Sequence, residues 1–79
     1  MESLRQRIDW HVGHIVRRLR MLAELRQSDL ASTTGLALSK IQRIEDQGTA
    51  TLETLAKIAT ALQTTTAEIT TYAERLDQA

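Results

Sequence analysis

Apolar residues recur at spacings of four and three near the start of the chain, at Ile8, Val12, Ile15, Leu19 and Leu22. Such positions share one face of a helix, so the pattern predicts an amphipathic first helix that turns this stripe towards a core. Gly13 lies within the pattern and costs about 1 kcal/mol of helix propensity without displacing the stripe. One long helix is therefore expected, from Leu4 or Arg7 to Leu25. Trp10 falls off the stripe and is either a residue that packs on a flank or an interface, or a platform for a ligand.

The next apolar positions are fewer and more closely punctuated. A short second helix is predicted from Gln27 to Thr33, with Leu30 and Ala31 inward and Ser28 and Asp29 in a first turn whose N–H groups are unpaired. Thr34, Gly35 and Leu36 form a tight turn, because glycine accepts the positive φ that lets two short helices meet steeply. A third helix follows from Leu38 to Asp46, with Ile41 and Ile44 inward and Ser39, Lys40, Gln42 and Arg43 outward, and Gly48 stops it.

Leu52, Leu55, Ala56, Ile58, Ala59 and Leu62 supply the apolar side of a fourth helix that opens at Thr51. Thr65 followed by Glu68 is a capping box. It starts a fifth helix at Thr66, with Ile69, Tyr72, Ala73 and Leu76 on one side. Six threonines from Thr49 to Thr65 stand mostly at caps and loops, where their hydroxyls can bond the backbone. Hairpin signals are missing, so the fold class is all-α with five helices. A short pair joined by a tight turn lies in the middle, the arrangement that lays one helix across a DNA backbone and the next into the major groove.

Composition narrows the function. Seventy-nine residues make one domain, since two cores would leave each half too little apolar surface to offset chain entropy. The absence of Cys excludes a disulfide scaffold, thiolate zinc sites and thiol nucleophiles. His11 and His14 could share a helical face, but no nearby acid completes a three-ligand set, so they are a solvated pair and no metal or cofactor is expected. No catalytic constellation, phosphate loop or paired carboxylate stands out, which argues against an enzyme. Neither a membrane span nor a leader is evident, and a cytoplasmic location is the simplest expectation.

Formal net charge is zero, yet the charges are segregated. From Arg17 to Arg43 six Lys or Arg stand against two acids; from Ile44 to the end six acids stand against two bases. Steering of a polyanion depends on the local field more than on the sum.

The stretch from Arg20 to Glu45, RMLAELRQSDLASTTGLALSKIQRIE, followed by Gly48 and TLETLAKIATAL, resembles the lambda-repressor-like, Cro-type helix-turn-helix family. The likeness lies in an ordered series. An Arg in the first helix precedes a Gln opening the second, then Leu-Ala, a turn Gly, an apolar residue and an Ile-x-x-Ile-Glu close. A Gly and a Leu-x-x-Leu-x-x-Ala-x-x-Leu helix complete it. Three positions depart from it: Glu24 stands where Gly commonly ends the first helix, Ala37 where Ser or Thr caps the third, and the loop after Gly48 lacks Pro.

The resemblance implies a lambda-repressor-like fold; with the five helices and the chain length it makes residues 1–79 one helix-turn-helix domain, whose C-terminal helix over 66–77 is a candidate for dimerisation. It implies an Arg20–Glu45 ion pair and a Gln27 that touches phosphate. Leu38, Ser39, Gln42 and Arg43 are the candidate base contacts, with Arg43 able to present a bidentate fork to guanine. Arg17, Arg26 and Lys40 join Gln27 as candidate phosphate contacts, and Arg18 belongs either there or to solvent. Tyr72 and Leu76, then Trp10, are the candidate dimer surface, the competing reading being that Tyr72 packs on the first helix. The expected function is a homodimeric repressor that binds double-stranded DNA at a near-palindromic operator. The competing expectations are an antitoxin that also masks a toxin protein, and a bundle that binds only protein.

Overall fold

A computed structural model describes residues 3–79 and shows five α-helices and no strand among them. They are α1 (Leu4–Leu22), α2 (Gln27–Thr34), α3 (Leu38–Gln47), α4 (Leu52–Ala61) and α5 (Thr66–Gln78). No described helix is long and apolar enough to cross a membrane. The all-α, lambda-repressor-like expectation is met.

Helix α1 opens with a full capping box: Ser3 Oγ accepts from the Gln6 N–H at 3.2 Å, and Gln6 Oε1 accepts from the Ser3 N–H at 2.9 Å. It ends three residues before the expected Leu25. Leu25 N–H donates to the Arg20 carbonyl and Glu24 N–H to the Met21 carbonyl, which is a Schellman stop with Glu24 in the left-handed conformation at φ 59°. The same device ends α4, where Thr64 N–H reaches the Ala59 carbonyl, Gln63 N–H reaches that of Thr60, and Gln63 has φ 59°. Both stops place a side chain where glycine is favoured.

The core gathers Val12, Ile15 and Val16 of α1, Leu30 and Ala31 of α2, Ile41 and Ile44 of α3, Leu55, Ile58 and Ala59 of α4, and Ile69 and Ala73 of α5. Helix α1 packs on α3 and α5, α2 on α3 and α4, and α4 on α5. Two faces of α1 are thus used, which is why Val16 is wholly buried although it lies beside the expected stripe. Gly13 belongs to the same second face. An added methyl there would meet the carbonyl oxygens of Ile44 and Glu45 at 2.7 and 2.8 Å, so the missing side chain lets α1 cross the end of α3.

Several apolar residues expected inward face solvent instead. Leu22, at the last position of α1, is 71 % exposed because the chain turns away before anything covers it. Leu52 and Ala56 are exposed because α4 buries the face that carries Thr54, Leu55, Ile58 and Ala59. Thr54 is accommodated in that face by accepting a hydrogen bond from the Thr51 hydroxyl at 3.0 Å. On α5 the capping is partial: Thr65 Oγ accepts from the Glu68 N–H, but the Glu68 carboxylate accepts from the Thr64 hydroxyl. Ile69 and Ala73 are buried there, whereas Leu76 stays half-exposed beside an equally exposed Tyr72.

Candidate nucleic-acid interface

Helices α2 and α3 meet through Gly35, which adopts φ 73° with open space where a side chain would stand. Before it, the Thr34 hydroxyl donates to the Leu30 carbonyl at 2.8 Å and accepts from the Leu36 N–H at 3.3 Å, joining the last turn of α2 to the corner. Helix α3 is preceded by Ala37, which offers no side-chain cap. Its stability comes from one face: Ile41, Ile44 and Glu45 are buried. Leu38, Ser39, Lys40, Gln42, Arg43 and Asp46 are exposed on the others.

Glu45 fixes that helix to both of its predecessors. Its Oε2 accepts from Arg20 Nε at 2.7 Å and its Oε1 from Arg20 Nη2 at 3.0 Å, a bidentate pair between α1 and α3. Arg20 Nη1 continues to the Leu25 carbonyl at 2.7 Å, so one guanidinium also holds the exit of α1. The Arg20 and Glu45 side chains are 11 % and 2 % exposed. The hydrogen bonds to Glu45 raise the pKa of Arg20 above its ordinary value despite the burial. Glu45 Oε1 also accepts from Gln27 Nε2 at 3.1 Å, which ties the first residue of α2 to the same carboxylate. That third bond has no signal in the sequence, where a Gln at a helix start points equally well outward.

The cations divide into two groups. Lys40 and Arg43 on α3 and Arg17 and Arg18 on α1 are exposed and form no ion pair among the described residues. Arg26 is exposed too, but its Nε lies 3.3 Å from Asp29 Oδ2. Asp29 also accepts from the Arg26 main-chain N–H at 2.8 Å. That backbone bond, then the side-chain contact, holds the Asp29 carboxyl below its ordinary pKa. Arg17 and Arg18, with Met21, Leu22 and Leu76, line an open groove between α1 and α5.

That groove continues along α5 past Leu19, Tyr72 and Arg75. Leu22 and Met21, which sequence reasoning did not assign to a surface, therefore join Tyr72 and Leu76 in one exposed apolar face. Trp10 is 53 % exposed on α1, with its ring centroid 4.1 Å from that of His14. His11 is not the solvated residue expected: its ring centroid lies 5.2 Å from that of Trp10, and its Nε2 is 3.6 Å from Asp77 Oδ1, an oxygen that Arg7 also engages at 3.1 Å.

Two short helices locked at a glycine corner, the second pinned along one side and polar along the other, define a helix-turn-helix DNA-binding domain. Residues 16–74 match the Cro/C1-type HTH DNA-binding domain, and the chain belongs to that family. A DNA-binding regulatory role follows from that membership. No curated protein matches the chain as a relative.

Proposed function

We propose that the chain, acting as a single domain, is a transcriptional repressor that binds double-stranded DNA at a near-palindromic operator as a homodimer. The observation that carries this reading is the outward face of α3. Ser39, Gln42 and Arg43 project from a rod whose opposite face is fixed by Ile41, Ile44 and the bidentate Arg20–Glu45 pair. Arg43 reads guanine, Gln42 and Ser39 contact neighbouring base edges, and Leu38, 43 % exposed at the start of the helix, meets a thymine methyl. Lys40 and Arg26 bind phosphate, and Gln27 adds a second amide N–H beside the one given to Glu45. Arg17 adds a further phosphate contact from α1, where it stands between Gly13 and Arg20, both of which meet the end of α3.

One such helix reads few base pairs, so specificity calls for two of them roughly 34–36 Å apart. The α1/α5 face supports a second copy of this chain as its cover. Glu68, Tyr72 and Arg75 lie together on the exposed side of α5. In an antiparallel pair of α5 helices centred between Thr71 and Tyr72, Glu68 of each copy stands opposite Arg75 of the other. That is the self-complementary arrangement a two-fold interface requires. An antitoxin would offer the same face to a toxin, but the Glu68–Arg75 register favours self-association.

Selection of bound fragments from a random duplex pool tests the reading. The expected result is an enriched motif of two inverted half-sites, bound with an affinity that falls steeply with salt. Absence of enrichment, or binding indifferent to salt, would overturn it. Sedimentation at micromolar concentration that shows only monomer would overturn the dimer.

A further inference from the structure

We propose that Asp46 is a positioning residue that orients the Arg43 guanidinium over its base; the inference rests on the assignment of Arg43 to base edges made above. Ser39, Gln42, Arg43 and Asp46 occupy positions i, i+3, i+4 and i+7 of α3, and all four are exposed. They form one stripe about 10.5 Å long, which fits within the roughly 12 Å width of a major groove.

The fold gains nothing from a carboxylate at Asp46. It stands in the last turn of α3, at the negative end of the helix dipole, where acids are disfavoured. Its neighbour Glu45 shares that end but is met by Arg20 and Gln27. Asp46 makes no hydrogen bond or ion pair among the described residues. On a surface that faces a polyanion, an unmet carboxylate also opposes binding.

Arg43 gives it a purpose. The two residues are three apart on one face, with Cβ atoms about 5–6 Å from each other, so their side chains can meet. A guanidinium carries five N–H donors, enough to present one edge to a carboxylate and another to guanine O6 and N7. Left alone, an arginine at a groove is drawn to the nearest phosphate. Held by Asp46, its fork is aimed at the base edge and its charge is withheld from the backbone. The pair is open in the free protein, where water screens it, and closes in the groove, where the lower dielectric strengthens it.

The test compares motifs selected from a random duplex pool by the wild type, Asp46→Asn, Arg43→Ala and the double variant, with thermal midpoints measured alongside. Asp46→Asn is expected to relax the same guanine position that Arg43→Ala relaxes, with discrimination there falling on the order of tenfold. The double variant should lose no more than Arg43→Ala alone. Affinity for random duplex should hold or rise, and the thermal midpoint should not fall. An unchanged motif with a uniform gain on every sequence would show Asp46 to be a plain repulsive charge and would overturn the proposal; additive losses in the double variant would overturn it too. If Arg43→Ala itself left the motif unchanged, the Arg43 assignment would fall with it. If only Arg43→Ala relaxed a guanine, the role of Asp46 alone would be lost.

Discussion

Gly48 lies directly against the main chain of Asp9, so that a methyl group at Gly48 would overlap the Asp9 carbonyl. Its φ of 74° independently disfavours any side chain. The contact sets how closely the start of α1 crosses the end of α3, together with Gly13. The three glycines therefore predict a graded series. Gly35→Ala meets no atom within 4 Å and costs only the left-handed penalty, about 1 kcal/mol. Gly13→Ala must push backbone oxygens aside but gains helix propensity, for a net loss of about 1–2 kcal/mol. Gly48→Ala combines both penalties and should lose about 3–4 kcal/mol. Urea unfolding midpoints of the three variants check the order.

The bidentate pair between Arg20 and Glu45 is the second joint between those helices. Removing one partner strands a buried charge, so Arg20→Ala or Glu45→Ala should each cost about 3–5 kcal/mol. Replacing both by apolar residues of similar size should recover much of that loss, because neither charge is then left unmet. Glu45→Ala should also free Gln27 and loosen the start of α2, so hydrogen exchange at Asp29 and Leu30, whose N–H groups bond the Arg26 carbonyl, should quicken more than in Arg20→Ala.

These joints show where a sequence is transparent and where it is not. The helices were legible because their apolar periods are strong, and the Arg20–Glu45 pairing because the family resemblance covers both residues. Helix ends were less legible. Glu24 and Gln63 take the left-handed conformation although nothing in their side chains asks for it, so the apolar pattern runs on to Leu25 past the true end of α1. Leu22 and Leu52 show the other weakness: periodicity says which residues could be buried, but only neighbouring helices decide whether they are. Gly13, a mere propensity cost along the chain, becomes a contact surface once α3 is in place. On the outward face of α3, helical spacing alone brings Ser39, Gln42 and Arg43 together. The bond from Gln27 to Glu45 depends on the angle between α2 and α3, which no local pattern encodes.

The two left-handed stops also predict easy gains. At Glu24 and Gln63 the backbone already has the shape of a Schellman turn, so glycine removes a steric penalty without altering a hydrogen bond. After subtracting the extra chain entropy that glycine loses on folding, each substitution should stabilise by about 0.5–1 kcal/mol. The sites lie at the ends of different helices, so their effects should add. Calorimetry should show the double variant melting several degrees above the wild type, with DNA selectivity unchanged.

Acid should loosen α2 through Asp29. Its carboxyl titrates below the ordinary value of 3.8, because the folded state gives it the Arg26 main-chain N–H and then the Arg26 side chain. A group whose folded pKa is depressed contributes stability that is complete above its unfolded pKa and is lost as pH falls through the folded one. The contribution of Asp29 is therefore full above about pH 4 and disappears below it. Unfolding midpoints for the wild type and Asp29→Ala should differ at pH 6 and converge towards pH 2. A constant difference across that range would mean that Asp29 acts through packing rather than charge.

Leu22 and Tyr72 separate folding from assembly. Both are more than half exposed, so exchanging either for a charged residue removes little buried area. Each nevertheless lines the groove proposed to receive the second copy. Leu22→Glu and Tyr72→Glu should keep the thermal midpoint of the isolated subunit and sediment as monomers. Binding to a single half-site should be retained, whereas affinity for the paired operator should fall roughly a hundredfold as the gain from linked sites is lost. Leu22→Lys is the sharper probe, since Arg18 and Arg75 rim the same groove and repel a cation where they would partly accept a carboxylate. A dimer that tolerated lysine there would place the two-fold axis elsewhere on the molecule.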